Sequence, residues 1–363
     1  MKLSSLFTNN ISPGKLFNIP PQPLNIFIDL TSKCNNKCLF CYNSNPFKKE
    51  DNDSDPEKIL RIVELIGQTG TKEIMYLGGE PFSFSHIFEI LNIGKKYGIF
   101  QRAVTNGSYF KNLNFTKSLK IAGLDEVGIS FHSSNEKTHD ILAGRKGAYM
   151  EAMKGLELCL LTEISTFIQY SPNQLNDPTD IVFFGELLRK EFGEKINLFD
   201  INRILPVGQG QKQEKIILYK NQWYDFLVIA AKLNDMNFDI RAELTPFCWL
   251  KKMAKKLKTS DKTLAQIFKM NRGCFMWIAQ LPLDYEGKIK FCPAGEKVDI
   301  SILDVEWPHY WQKSDILNSY RSFQWNKKCL DFEKQITCEY FFKCLGGCKY
   351  SNGEPYQVDN LSI

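Results

Sequence analysis

The sequence predicts an α/β protein: a partial (β/α)6 barrel of the TIM type, followed by a C-terminal cysteine-rich domain. Two observations carry this. Between residues 25 and 210 short apolar runs alternate six times with helical patterns, and beyond about residue 270 cysteines, aromatics and turn residues take over. A third observation bears on chemistry. Residues 31–42 read TSKCNNKCLFCY, three cysteines within eight positions, directly after the first apolar run.

The elements follow in order. The run 25–30 (NIFIDL) precedes a helix predicted over 56–70, with Pro56 at its start and Gly70 at its end. The run 73–77 precedes a helix around 84–97, 100–105 one around 114–122, and 126–131 one over 147–161. The run 164–171 precedes a helix over 179–193, and 197–204 closes the series. Strand-then-helix repetition means a parallel sheet with helical crossovers. No GxGxxG follows the first strand, so a barrel fits better than a dinucleotide-binding sheet. In barrels of this kind the chemistry sits at the C-terminal ends of the strands. The expected division is an N-terminal extension (1–24), the barrel (25–210), a helical bridge (211–270) and the cysteine-rich domain (271–363).

Composition narrows the function class. The chain has 363 residues, 24% of them charged, and a formal charge of +5. That is too mild for the dense basic face of a nucleic-acid binder. No run approaches the roughly 18 apolar residues of a membrane span, and the N-terminus lacks a signal peptide's apolar stretch. The expectation is a cytoplasmic protein that binds neither nucleic acid nor membrane. Eleven cysteines in a reducing compartment argue for metal or catalysis over disulfides.

Each strand end carries something unusual. After the first come Cys34, Cys38 and Cys41, spaced C-x3-C-x2-C and flanked by Phe40 and Tyr42; after the second, Gly78-Gly79-Glu80-Pro81. Thr105-Asn106-Gly107 follows the third, Ser130 and His132 end the fourth, Asn173 follows the fifth and Gly208 the sixth. Three thiolates on one loop hold three irons of a 4Fe–4S cube and leave the fourth open to a chelating cofactor. Structural zinc is the competing reading. It wants a fourth ligand nearby, and no Cys or His lies between 42 and 85, leaving only His86.

The cysteine motif, GGEP and TNG at three successive strand ends resemble the radical S-adenosylmethionine (SAM) enzymes. The resemblance implies a 4Fe–4S cluster on Cys34, Cys38 and Cys41 that chelates SAM and cleaves it reductively to a 5′-deoxyadenosyl radical. It places SAM-binding groups at Tyr42, at Gly78, Gly79 and Glu80, at Thr105 and Asn106, and at Ser130. Arg145 falls where relatives carry an arginine near SAM's carboxylate. Asn173 reads equally as a SAM contact or a turn residue. Two glycines admit close backbone approach, and Glu80 offers a carboxylate to SAM's amine or to loop positioning.

The C-terminal cysteines resemble the SPASM extension, which carries auxiliary iron–sulfur clusters. The pattern is Cys274, then Gly287-x4-Cys292 after a predicted hairpin turn Asp284–Gly287, then Cys329, Cys338, Cys344 and Cys348. The resemblance implies a first auxiliary 4Fe–4S cluster on Cys274, Cys292 and Cys348, and a second on Cys329, Cys338 and Cys344. The eight residues between Cys329 and Cys338 depart from the family spacing, so a second cluster would need an open iron or an oxygen ligand such as Asp359. Cys248 reads as a fourth ligand or a buried structural thiol, and Cys159 as core. His132 and His139 read chiefly as loop-structuring, Lys251–Lys258 as a solvated helical face.

The implied function is hydrogen abstraction from a ribosomal peptide or protein side chain, giving a crosslinked or oxidised product. Formylglycine formation in a sulfatase, a cofactor or tetrapyrrole step, and a non-catalytic zinc adaptor are the alternatives. The expected partners are a flavodoxin- or ferredoxin-type reductant and the peptide substrate. The short segment before the first strand leaves leader recognition to a separate protein or to direct docking.

Overall fold

Local capping chemistry sets the first unit. In the computed structural model, which describes residues 19–43, 55–243, 245–295, 297–321, 330–331 and 336–337, strand β1 (Asn25–Asp29) is followed by helix α1 (Pro56–Thr69). Asp55 accepts the backbone N–H groups of Glu57 and Lys58, Pro56 opens the first turn, and Gly70 closes the last at φ 84°. Ile59, Ile62, Val63 and Ile66 recur at helical spacing and are buried against the sheet.

The same unit repeats through β2 (Glu73–Leu77), α2 (Ile87–Lys96), β3 (Phe100–Thr105), α3 (Leu113–Ala122) and β4 (Glu126–Phe131). Helices α4 (Glu136–Ala143) and α5 (Ala148–Leu161) then lead to β5 (Ser165–Tyr170), α6 (Asp180–Phe192) and β6 (Leu198–Ile201). Each strand from β1 to β6 pairs in parallel with the next. This is a mixed α/β fold whose parallel sheet is that of a partial TIM barrel.

The two faces of the sheet differ. Tyr76 and Gln101 turn toward α2, where the Gln101 amide donates to the Leu91 carbonyl at 2.7 Å and accepts from Tyr76 Oη at 2.6 Å. The opposite face carries charges. Arg102 on β3 reaches Glu73 on β2 at 3.2 Å and Glu126 on β4 at 2.8 Å, a polar belt at the strands' N-terminal ends.

Three elements differ from the sequence expectation. The stretch HSSNEKTHD, read as loop, opens α4, capped by Asn135 at one end and Gly144 at the other; the helix is short, and its sequence is mostly polar. The expected helical bridge contains a strand, β7 (Asp239–Glu243), parallel to β6, and is followed by β8 (Asn271–Arg272) on its far side. Phe238, Ile240 and Ala242 are buried at period two, but the charges between them hid the strand pattern. Helices α7 (Lys220–Ala230), α8 (Phe247–Leu257) and α9 (Asp261–Met270) fill the rest of that region.

The third difference concerns the other edge of the sheet. Strands β9 (Gln280–Leu283), β10 (Lys288–Lys290) and β11 (Lys297–Ser301) extend the barrel sheet beyond β1, with β9 parallel to β1 and the others antiparallel to their neighbours. Strand β1, which feeds the cysteine loop, is therefore interior to an eleven-stranded sheet. Helices α10 (His309–Lys313) and α11 (Asp315–Arg321) follow. Among the described residues no helix is long and apolar enough to cross a membrane.

Candidate functional site

Backbone contacts, more than side chains, fix the loop that carries Cys34, Cys38 and Cys41. The amide of Gly79 donates to the Thr31 carbonyl at 2.6 Å, and that of Glu80 to the Lys33 carbonyl at 2.8 Å. On the far side, Lys37 and Leu39 donate to the carbonyls of Ala143 and Leu142 at the end of α4, each at 2.9 Å. Gln209 donates to the Cys41 carbonyl at 3.0 Å. Glycine is required at these approaches. A Cβ on Gly79 would stand 2.0 Å from Lys33 O, one on Gly144 2.2 Å from Lys37 O, and one on Gly208 2.5 Å from Cys41 O. Gly78 and Gly79 in this structure thus receive the cysteine loop itself.

Glu80 ties the second and third strand ends together. Its buried carboxylate accepts from Thr105 Oγ1 at 2.7 Å, from the Asn106 amide at 2.9 Å and from the Phe82 amide at 3.2 Å. Burial pushes its pKa up to about 7, against the pull of those three donors. Asn106 in turn reaches the cysteine loop: its side-chain amide donates to Asn35 Oδ1 at 2.8 Å and lies 3.8 Å from Cys34 Sγ. Asn35 donates onward to Ser108 Oγ at 2.8 Å. Three motifs far apart in sequence form one hydrogen-bonded unit.

The thiols themselves crowd one another electrostatically. Cys34 is exposed and the other two are half-buried, none in a disulfide. Cys34 keeps one face open, but desolvation by the loop packed around its sulfur pushes the thiol up to about 11, with the charges of Glu80 and Cys41 adding to it. Cys38 is raised further by burial and then by its two neighbours. A bound cation reverses that balance, because coordination deprotonates a thiol. Among the described residues no three Cys, His, Asp or Glu side chains close on one point as single-ion ligands do.

The remaining candidates take varied places. Arg145 donates through Nε to Asn36 Oδ1 at 2.7 Å and grips Glu151 through both terminal nitrogens, at 3.0 and 2.7 Å; it braces the cysteine loop. Asn173 is buried and engaged in its own turn, donating to the carbonyls of His132 (2.9 Å) and Ser171 (3.1 Å) while accepting from the Leu175 amide. Ser130 is half-buried on the sheet face opposite the helices. Tyr42, partly exposed, follows Cys41. His132 and His139 stack at 5.0 Å, and Phe40 meets the His132 ring edge-on at 4.9 Å. Burial holds His132 well below its usual pKa and His139 at about 4, so both are neutral at pH 7. His86 sits apart at the start of α2, bonded to Ser85 Oγ.

Of the C-terminal cysteines, Cys274 and Cys292 are half-buried free thiols; Cys329, Cys338, Cys344, Cys348 and the candidate ligand Asp359 lie outside the described residues. The predicted Asp284–Gly287 turn joins β9 to β10, Asp284 Oδ1 accepting from the amides of Glu286 and Lys288 at 2.9 Å each. Two residues before Cys292, Lys290 makes a buried ion pair at 2.7 Å with Asp29, the last residue of β1. The hairpin carrying one cysteine group is thereby clamped to the strand that delivers the other. Cys159 is core, as expected, but Cys248 is exposed on α8, which corrects the buried reading; its face of the helix turns outward. Sequence reasoning missed Asn35, Asn36, Asp29 and Lys290. The paired asparagines inside the cysteine motif were the available signal for the first two, and nothing local pointed to the ion pair.

A cavity of about 610 Å³ lies at the opposite end of β4, β5 and β6, lined by Glu126, Glu163, Ser165 and Lys195. It is remote from the thiols. The cysteine loop, Gly79 and Gly144 fall within residues 28–170, the stretch that matches the radical SAM superfamily, and Gly208 lies beyond it.

Curated relatives span several chemistries. A probable GTP 3′,8-cyclase of Thermococcus kodakarensis is 35% identical over 42% of this chain and 46% of its own length. An Fe-coproporphyrin III synthase of Methanosarcina barkeri is 26% identical over 68% and 62% respectively. These two are thus matched over about half to three-fifths of their length. An AdoMet-dependent heme synthase of the same organism is 22% identical over 91% of this chain and 95% of its own. In fold, the chain resembles Streptococcus suis SuiB bound to the precursor peptide SuiA (TM-score 0.69, 20% identity, 93% of this chain and 74% of that one). It also resembles anSMEcpe bound to AdoMet and the Cp18Cys peptide (TM-score 0.63, 17% identity, 90% and 89%).

Proposed function

We propose that this chain is a radical SAM enzyme that acts on a peptide or protein side chain, crosslinking or oxidising it. The observation that carries the catalytic part is the interlock at the barrel mouth. Glycine seats and the Glu80–Asn106–Asn35 chain hold Cys34, Cys38 and Cys41 in a preformed loop, the donor set a three-thiolate cluster needs. A 4Fe–4S cluster held there would supply the electron for reductive cleavage of SAM.

The chain's own residues do the placing. Glu80 fixes the relative positions of the GGEP and TNG loops, and Arg145 orients the cysteine loop through Asn36. Ser130 and Tyr42 would offer hydroxyls to bound SAM, and Asn173 shapes the loop after β5. Cys274 and Cys292 would supply two of the thiolates that hold an auxiliary cluster of the SPASM kind, an electron-accepting group when bound. The reductant is a flavodoxin- or ferredoxin-type donor in the cytoplasm.

The peptide reading draws support from the shared fold with SuiB and anSMEcpe, both described with bound peptides. A tetrapyrrole substrate is the second reading, supported by the heme synthase match along nearly the whole chain. The test is anaerobic incubation of reconstituted enzyme, SAM and reductant with a short precursor peptide encoded beside it, and separately with Fe-coproporphyrin. A mass change in the peptide supports the first reading. An unchanged peptide beside a converted porphyrin, with SAM cleavage intact, replaces it with the second.

A further inference from the structure

The densest run of like charge lies on α8 and α9. Residues 251–262 hold six lysines against one aspartate, and the formal charge of the whole chain is +5. These twelve residues therefore carry a net charge equal to that of the entire protein. Helix α8 turns one face inward: Trp249 meets the Tyr224 ring at 6.0 Å, Phe247 meets Phe268 at 4.7 Å, and Leu250, Met253 and Ala254 are buried. Lys251, Lys252, Lys255, Lys256 and Lys258 are all exposed, as is Lys262 in the first turn of α9. Among the described residues the ammonium groups of Lys255, Lys256, Lys258 and Lys262 make no ion pair or hydrogen bond.

Fold stability does not account for this arrangement. The helix dipole favours a cation in the last turn of α8, but Lys262 sits near a helix N-terminus, where a cation is disfavoured. Lys251 and Lys255, like Lys252 and Lys256, are equal charges one turn apart, and such pairs repel. Lys258 holds a left-handed backbone, φ 53°, at the end of α8, a conformation that glycine adopts without strain. An anionic partner offsets the repulsion.

Spacing and surface chemistry choose that partner. Side chains four apart on a helix recur about every 6 Å, close to the roughly 6.6 Å between alternate side chains of an extended peptide. The lysine face of α8 has no aromatic ring on which bases could stack, since Phe247 and Trp249 are buried. Leu257 is the one large apolar side chain exposed on α8, too little to enter a bilayer. An electron carrier fits less well, because the cysteine loop is seated against the loop after β2, the end of α4 and residues 208–209.

We propose that the lysine face of α8 and the start of α9 dock an acidic segment of the peptide substrate, an extended stretch with carboxylates at alternate positions. The inference rests on the peptide reading above and adds how that substrate is held.

The test measures binding of a fluorescein-labelled peptide of alternating Glu and Ser to the full-length protein at low salt. Its Gln-for-Glu counterpart, oligothymidine and phosphatidylserine vesicles are the comparison probes. The variant carrying Lys255→Glu, Lys256→Glu, Lys258→Glu and Lys262→Glu is expected to bind the acidic peptide at least about tenfold more weakly than the parent. The parent should discriminate against the Gln peptide to a similar degree, and both differences should shrink as salt rises. SAM cleavage without peptide should be unchanged. The corresponding four Lys→Gln changes should weaken binding less, and they decide the matter if the Glu variant fails to fold. Equal binding of the acidic peptide by parent and folded variant overturns the inference, as does tighter binding of oligothymidine or of the vesicles. With the precursor peptide encoded beside the gene, an equal KM for parent and variant overturns the inference and leaves the peptide reading standing. No mass change with either protein removes that reading, and the inference falls with it.

Discussion

The two cysteine regions are held by opposite means. The N-terminal loop is seated by backbone: amides of Gly79, Glu80 and Gln209 bind its carbonyls, and glycines at 79, 144 and 208 leave room for its chain. The C-terminal hairpin is held by side chains: Lys290 on Asp29, Asp284 on its own turn, Arg321 on the Trp277 carbonyl. Backbone seating tolerates almost no substitution at its glycines, whereas side-chain anchoring admits many solutions. The first region therefore carries a readable motif and the second an individual one.

That contrast can be broken from either side. The largest effect is expected at the side-chain clamp. Lys290→Met leaves Asp29 buried without its cation, and loss of one partner of a buried pair costs about 3–5 kcal/mol. Urea unfolding should show this, and adding Asp29→Asn should recover most of it. If the single variant is as stable as the parent, the hairpin is not clamped by charge.

Next comes the backbone seat. A Cβ at Gly79 would meet Lys33 O at 2.0 Å, so Gly79→Ala must displace the cysteine loop. Misplacement of about 1 Å costs roughly 100-fold in rate, read as 5′-deoxyadenosine formed per minute. Full activity would mean that the loop is not positioned by this contact.

The smallest of the three effects concerns Glu80. Its folded pKa of about 7 lies above the ordinary value of 4.5, so between these pH values the folded state binds more protons than the unfolded one. Its contribution to stability is accordingly greatest below pH 4.5 and is lost as pH rises through 7. Glu80→Gln should flatten that slope in pH-dependent unfolding, at a cost of about 1–3 kcal/mol from a weakened hydrogen-bond set. An unaltered slope would assign the titration elsewhere.

The same contrast explains what the sequence made legible. Residues 25–204 announced six strands and their helices, because apolar periodicity and capping residues such as Asp55 and Gly70 act locally. The GGEP and TNG motifs marked the right strand ends, but sequence could not show that the glycines receive Lys33, or that Glu80 is consumed by Thr105 and Asn106. Strand β7 escaped notice because Asp239, Arg241 and Glu243 alternate with its buried residues, and α4 because a short polar helix has little periodicity. The Asp29–Lys290 pair spans most of the chain, and no window of sequence contains it.

The central claim is that Cys34, Cys38 and Cys41 hold the cluster that cleaves SAM. Iron, sulfide and zinc per chain, measured after anaerobic reconstitution alongside 5′-deoxyadenosine formation, test it directly in the parent and in the triple Cys→Ala variant. The account predicts that the variant loses about four irons and all SAM cleavage while keeping its auxiliary iron. Zinc in place of iron, or iron and SAM cleavage unaffected by the triple change, would contradict it.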